Sequence, residues 1–213
     1  MSFSAKDVQD LRKMTGAGMM DAKRALEETG GDAVAAADLL REKGLAEAAK
    51  RADRAQTEGT IGSYLHSQAG RSVIGVLVDL ASETDFVAKS DDFQQAANDI
   101  AMHIAAARPG WVSRDEVPDD LITSEKAMFE AQARNDGKPE NVLDKIVAGK
   151  LEAFYGDNVL YDQEFVRKEA FEGTVGEMVQ QMAASMGENI SVRRFSRVEV
   201  GEGVETEDTE GDE

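Results

Sequence analysis

Cysteine is absent from the sequence, so no disulfide, thiolate nucleophile or cysteine metal site is open to it. The two histidines, His66 and His103, lack a zinc-type spacing, and no metal or cofactor is expected. There is no long apolar run and no N-terminal signal pattern. Met1-Ser2-Phe3-Ser4 leads straight into helical sequence, and the expectation is a soluble cytoplasmic protein without a membrane partner. Basic residues are scarce, 24 lysines and arginines against 42 acids, for a formal charge of −18. Eight acids and no base fall between Glu199 and Glu213, and with those eight removed the body still carries −10. Such a body repels phosphate backbones, which argues against direct nucleic acid binding and suits a partner with a basic patch. No phosphate-cradling glycine loop is present: Gly16-Ala17-Gly18 lies between two helical stretches rather than after a strand. No catalytic constellation can be assembled, so the chain does not read as an enzyme.

What is present is a 41% apolar composition, adequate for one ordinary domain and a small one. Residues 1–54 predict the small one, a three-helix bundle. Ser4 caps a helix with Val8, Leu11 and Thr15 on its stripe, and Thr15-Gly16-Ala17-Gly18 makes a sharp corner. Met19 opens a second helix, and Asp32 caps a third carrying Val34, Ala37 and Leu40. Gly44 punctuates, and a basic helix follows through Lys50, Arg51 and Arg54. The pair Met19-Met20 reads either as core or as an adaptable docking surface.

After a polar linker at 55–58, strands are predicted over Gly59–Ser67 and Ser72–Ala81, joined as a hairpin. The second is apolar on both faces and calls for cover on both sides. A helix from Asp91 to Arg108 carries Phe93, Ala97, Ile100 and Ile104 at helical spacing. Trp111 is a local anchor. Helices over about Asp119–Asn135 and Pro139–Phe154 form a projecting antiparallel hairpin, about 119–155. Thr174 and Glu177 match a capping box that opens a helix to Gly187. Ile190–Val200 is a strand, with Ile190, Val192, Val198 and Val200 on one face and Phe195 on the other. The acidic stretch 201–213 is expected to be disordered. The fold class is α+β: the bundle, then a core at 55–200 of a three-stranded antiparallel sheet packed with helices.

Between the second strand and its helix lies Glu83-Thr84-Asp85-Phe86-Val87-Ala88-Lys89. Phe86 stands among acids and a lysine. Composition alone favours folding it back as a plug over the core; the alternative is a probe into another molecule. The acids Glu83, Asp85, Asp91 and Asp92 could hold a cation weakly, but helix N-terminal acids are the simpler account of Asp91 and Asp92. A hydrolytic pairing of Asp85 with His103 is the enzymatic rival, although His103 lies beside an apolar stripe and a structural role is the simpler one.

Three segments in order resemble one family. Leu11-Arg12-Lys13-Met14-Thr15-Gly16-Ala17-Gly18-Met19-Met20-Asp21-Ala22-Lys23-Arg24-Ala25-Leu26 is similar to the N-terminal signature of bacterial elongation factor Ts. Glu83 to Lys89 is similar to its second signature, and Gly187-Glu188-Asn189-Ile190-Ser191-Val192-Arg193-Arg194-Phe195 to the end of its core. The resemblance implies a short-form guanine-nucleotide exchange factor for elongation factor Tu, binding it GDP-loaded and nucleotide-free. It implies a ubiquitin-associated-like (UBA-like) N-terminal fold that contacts the GTPase through Arg12, Thr15, Gly16, Ala17, Gly18, Met19 and Met20. It implies that Thr84, Asp85, Phe86 and Val87 reach the GTPase, with the aromatic wedging between helices and displacing magnesium. His103 is carried as a candidate contact of the core. Long forms hold two core halves and this chain has room for one, so a homodimer is expected to supply the missing cover through a sheet face. The competing class is a helical adaptor for ubiquitin-like or peptide ligands, which leaves Asp85-Phe86 without a role.

Overall fold

The computed structural model describes residues 3–203. The acidic stretch beyond Gly203, expected to be disordered, lies outside the described residues.

Helices α1 (Ala5–Thr15), α2 (Met19–Glu28) and α3 (Ala33–Ala49) open the chain. Ser4 and Asp7 form a reciprocal capping box on α1, and the Asp32 carboxylate accepts from the Val34 and Ala35 amides to start α3. Val8, Leu11, Ala22, Ala25, Leu26 and Ala36 make a small separate core. Two expectations fail here. Val34 is exposed and Ala36 takes the buried place. Gly44 does not punctuate, since α3 runs through it to Ala49. The reason is tertiary. A Cβ on Gly44 would lie 3.1 Å from that of Ala184 on α8 (Val175–Met186), so the glycine lets two helices approach closely.

Strands β1 (Glu58–Gln68), β2 (Arg71–Ser82) and β3 (Ser191–Glu199) form one antiparallel sheet in the order β1-β2-β3. Helix α4 is the single turn Asp85–Ala88, and α5 spans Asp91–Ala107. Phe93, Ala97, Ile100 and Ile104 of α5 join Val76, Val78 and Leu80 of β2 and Val175 and Val179 of α8 in the main core. Helix α5 sits so close to β1 that a Cβ on Gly62 would come within 2.3 Å of the Ala97 backbone. Helix α6 (Asp119–Asn135) and α7 (Glu140–Asn158) pack as the expected hairpin, although α7 runs past Phe154 to Asn158. At its base the Arg114 guanidinium bonds both Glu152 and Asp162 and lies 4.4 Å over the Tyr155 ring. Trp111 packs tilted against Phe154, 6.4 Å between centroids.

Among the described residues the sheet is covered on one face only. Helices α5 and α8 bury Val76, Val78 and Leu80, while Ile61, Leu65, Leu77, Val198 and Val200 stay exposed. The expected facing within β3 is corrected. A bulge between Asp79 and Leu80 pairs Val78 with Phe195 and Leu80 with Val192, which turns both β3 residues toward the core. An extra residue in one strand resets its alternation, so Val192 and Phe195 share the inner face and Val198 and Val200 look outward.

Candidate functional site

The candidate site is built on the exit of β2. Thr84 caps the one-turn helix α4, its hydroxyl accepting from the Val87 amide at 3.4 Å. A helix of four residues has too few internal hydrogen bonds to hold itself. Its stability comes from Val87 and Ala88, which point into the main core at 7% exposure each. Phe86 points the other way and is 83% exposed. The plug favoured by composition is therefore Val87, and Phe86 is a projecting ring. Desolvating a phenyl ring is favourable by a few kcal/mol at roughly 25 cal/mol per Å², and an isolated exposed ring on a fixed turn keeps that gain for a partner.

Asp85 stands beside Phe86 and is bonded by the Lys89 ammonium at 2.6 Å. That bond, and then the charge of Lys89, lowers the Asp85 carboxyl below its usual range and raises Lys89 above its own. The carboxylate is thus ionised at neutral pH. Both groups are largely exposed, so the pair itself adds little to stability. The loop behind is clasped: Glu83 accepts from the Asn189 amide at 2.7 Å, and Glu188 accepts from the Glu83 and Thr84 amides at 3.0 and 3.1 Å. Among the described residues no three histidine, aspartate or glutamate side chains are grouped to hold a metal ion.

The N-terminal candidates gather at the α1–α2 corner. Gly16 adopts the left-handed conformation at φ 70° and ends α1. The Thr15 hydroxyl donates to the Leu11 carbonyl and accepts from the Ala17 amide. Arg12, Gly16, Gly18, Met19 and Met20 are exposed, and Thr15 and Ala17 are half-buried. Met14 joins the two methionines on this surface, so three adaptable side chains surround one rigid turn.

His103 is not a surface group. It lies within the core with no exposed area, stacked on Phe165 at 5.7 Å. The Gln163 amide nitrogen donates to the carbonyls of Asp157 and Ala107, which turns its oxygen to His103 at 2.9 Å. The imidazole Nε2–H donates to that oxygen, and Nδ1 accepts from the Val166 amide. Burial holds the ring below its ordinary value, partly offset by Gln163, so it is neutral at pH 7. His103, carried as a candidate contact of the core, thus sits inside the core of the single chain. The rival hydrolytic pair fails with it, since Asp85 is engaged by Lys89 at the surface and His103 is sealed behind Gln163.

Sequence reasoning missed Glu188 as part of the loop. It stands 104 residues from Thr84, and no local pattern links the two; only its place in the third family-like segment marked it.

Comparison with known proteins falls on the same features. The family model described as Elongation factor TS matches residues 4–172, which includes the corner, the loop and the hairpin. The chain belongs to the elongation factor Ts family. It is 50% identical over 210 residues to the Elongation factor Ts of Geobacter sulfurreducens, covering 99% of this chain and 95% of that relative. It is 51% identical over 205 residues to that of Syntrophomonas wolfei, covering 96% of this chain and 94% of the relative. The corresponding protein of Thermoanaerobacter sp. X514 is 50% identical over 208 residues, 98% of this chain and all of the relative. The protein is thus a member of a translation elongation factor family. No helix among its described residues is long and apolar enough to cross a membrane.

Proposed function

We propose that the protein binds GDP-loaded elongation factor Tu in the cytoplasm and promotes release of GDP, with Asp85 and Phe86 entering the GTPase domain and the nucleotide's magnesium ion leaving. The observation that carries this is the 83% exposure of Phe86 on a turn whose neighbours Val87 and Ala88 are buried. A ring held out this way can wedge between helices of a partner without cost to its own fold. Exchange follows from linkage: a factor that binds the nucleotide-free partner more tightly weakens the nucleotide by the same factor. No bond is made or broken, so the protein acts without being an enzyme. The acidic body favours a protein partner with a basic patch over direct contact with nucleic acid.

Residues 1–54, with Arg12, Thr15, Gly16, Ala17, Gly18, Met19 and Met20 at their corner, supply affinity, and the core at 55–200 supplies the exchange step. The exposed methionines support that division. A second copy of the chain covers the outer sheet face in a homodimer, with one Tu per subunit. The support is the band of Ile61, Leu65, Leu77, Val198 and Val200, which no other described residue covers. An adaptor for ubiquitin-like or peptide ligands would use the three helices alone and leave Phe86 idle. The test is release of fluorescent GDP from loaded elongation factor Tu. The exchange factor accelerates release, and Phe86→Ala loses the acceleration while melting like wild type; an adaptor leaves the release rate at its basal value.

A further inference from the structure

The wedge turn α4 is too short to hold its own geometry, and beside the burial of Val87 and Ala88 it is held by hydrogen bonds at its cap. The hydrogen bonds behind that cap converge on one side chain from the far end of the core. Helix α8 ends at Gly187, and the next residue is Glu188, half-buried against the loop. One carboxylate oxygen accepts from the amides of Glu83 and Thr84, at 3.0 and 3.1 Å. The other accepts from the Thr84 hydroxyl at 2.5 Å. That last bond has a directional consequence. A hydroxyl has one proton, and once it is committed to Glu188 the lone pairs turn to the Val87 amide. Glu188 therefore orients the cap that orients the turn that projects Phe86.

Three donors converge, and a carboxylate has the acceptor sites to meet them all. The contact is reinforced from the opposite direction. Glu83 of the loop accepts from the Asn189 amide, and the Asn189 side-chain amide donates to the carbonyls of Ala52 and Arg54 at 2.9 and 2.8 Å. The α8–β3 turn thus ties the wedge loop to the segment that leaves the N-terminal helices.

We propose that Glu188 is a positioning residue for nucleotide exchange, fixing the direction in which Phe86 is presented through the Thr84 hydroxyl. Its role runs through its contacts with Glu83 and Thr84 of its own chain. The inference rests on the exchange role of Phe86 given above, and the test separates the two.

The full-length chain is titrated against elongation factor Tu loaded with fluorescent GDP, for wild type and for Glu188→Ala, Glu188→Asp, Glu188→Gln and Phe86→Ala. Loss of a charge-assisted hydrogen-bond set that acts on orientation should lower the saturating release rate about tenfold in Glu188→Ala. The half-saturating concentration should stay near wild type, and any fall in melting temperature should be too small to account for the lost rate of the folded protein. Glu188→Asp keeps the charge but is one methylene too short, and should lose rate like alanine. Glu188→Gln keeps one acceptor oxygen for the Glu83 and Thr84 amides but turns an NH2 toward the Thr84 hydroxyl, and should recover only part of the rate, between alanine and wild type. Amide hydrogen exchange at Val87 should speed up in the alanine and aspartate variants, and by less in glutamine. A merely structural role would instead lower the melting temperature and leave the saturating rate of the folded fraction unchanged, which overturns the proposal. So does an aspartate variant with the wild-type rate and wild-type protection at Val87. Should Glu188→Ala not fold, the aspartate and glutamine variants decide alone. If Phe86→Ala keeps the full rate, the exchange role itself is wrong; if Phe86→Ala loses rate and the Glu188 variants do not, only the positioning role falls.

Discussion

The core loop and the N-terminal corner are both exposed and both carry family signatures, yet they are built on opposite plans. The loop offers a single ring, Phe86, on one helical turn pinned below by Val87 and Ala88 and behind by Glu188. The corner offers Met14, Met19 and Met20 around a glycine turn, above a small core of six buried residues among those described. A pinned ring delivers force along one direction and suits a change imposed on the partner. A ring of flexible thioethers adapts to whatever it meets and suits affinity. Exposure alone therefore does not define a role; what lies beneath the exposed side chain does.

Truncating each surface in turn should separate the two plans most widely. Phe86→Ala should lower the saturating GDP-release rate on the order of a hundredfold, equivalent to about 2.7 kcal/mol of lost transition-state stabilisation. Its melting temperature should hardly move, because the ring is exposed. Leu26→Ala, in the small bundle core, should do the reverse, costing about 2–5 kcal/mol of stability while the folded fraction exchanges at the wild-type plateau. Calorimetry beside the release assay reads both. The double change Met19→Ala and Met20→Ala should raise the half-saturating concentration about tenfold without lowering the plateau; a lowered plateau would erase the division between the two surfaces. Leu77→Glu on the outer sheet face should leave the release chemistry intact and convert a species of twice the chain mass into the monomer by light scattering.

The smallest effect concerns His103. Its folded value is depressed by burial, so the unfolded chain takes up the proton first. The associated stability is present above the ordinary histidine value of about 6.5 and is lost as pH falls from there toward the folded value. His103→Gln can donate to Gln163 and accept from Val166 without titrating. Its melting temperature should fall less between pH 6.5 and 5 than that of wild type, by an amount worth less than about 2 kcal/mol.

Much of the fold is legible in local sequence because local forces decide it. The capping residues Ser4, Asp32 and Thr174 act within one helical turn, and the α5 stripe from Phe93 to Ile104 repeats at helical spacing. What was not legible is set by partners distant in sequence. Gly44 looks like a helix breaker until Ala184 is placed against it. The facing of Phe195 depends on a bulge that no residue in β3 announces. Within the candidate loop, composition identified a buried apolar residue but chose Phe86 where Val87 fills that place. Glu188 was invisible as a brace because its three donors lie more than a hundred residues upstream.

The most direct measurement is a paired titration of fluorescent-GDP release from elongation factor Tu, with Phe86→Ala and the Met19→Ala, Met20→Ala double variant followed over the same concentration range as wild type. The account predicts that the Phe86 variant reaches a plateau far below wild type at an unchanged half-saturating concentration, while the methionine variant reaches the wild-type plateau at a higher one. A Phe86 variant that attains the wild-type plateau once enough of it is added would contradict the account, because the ring would then be serving affinity and not exchange.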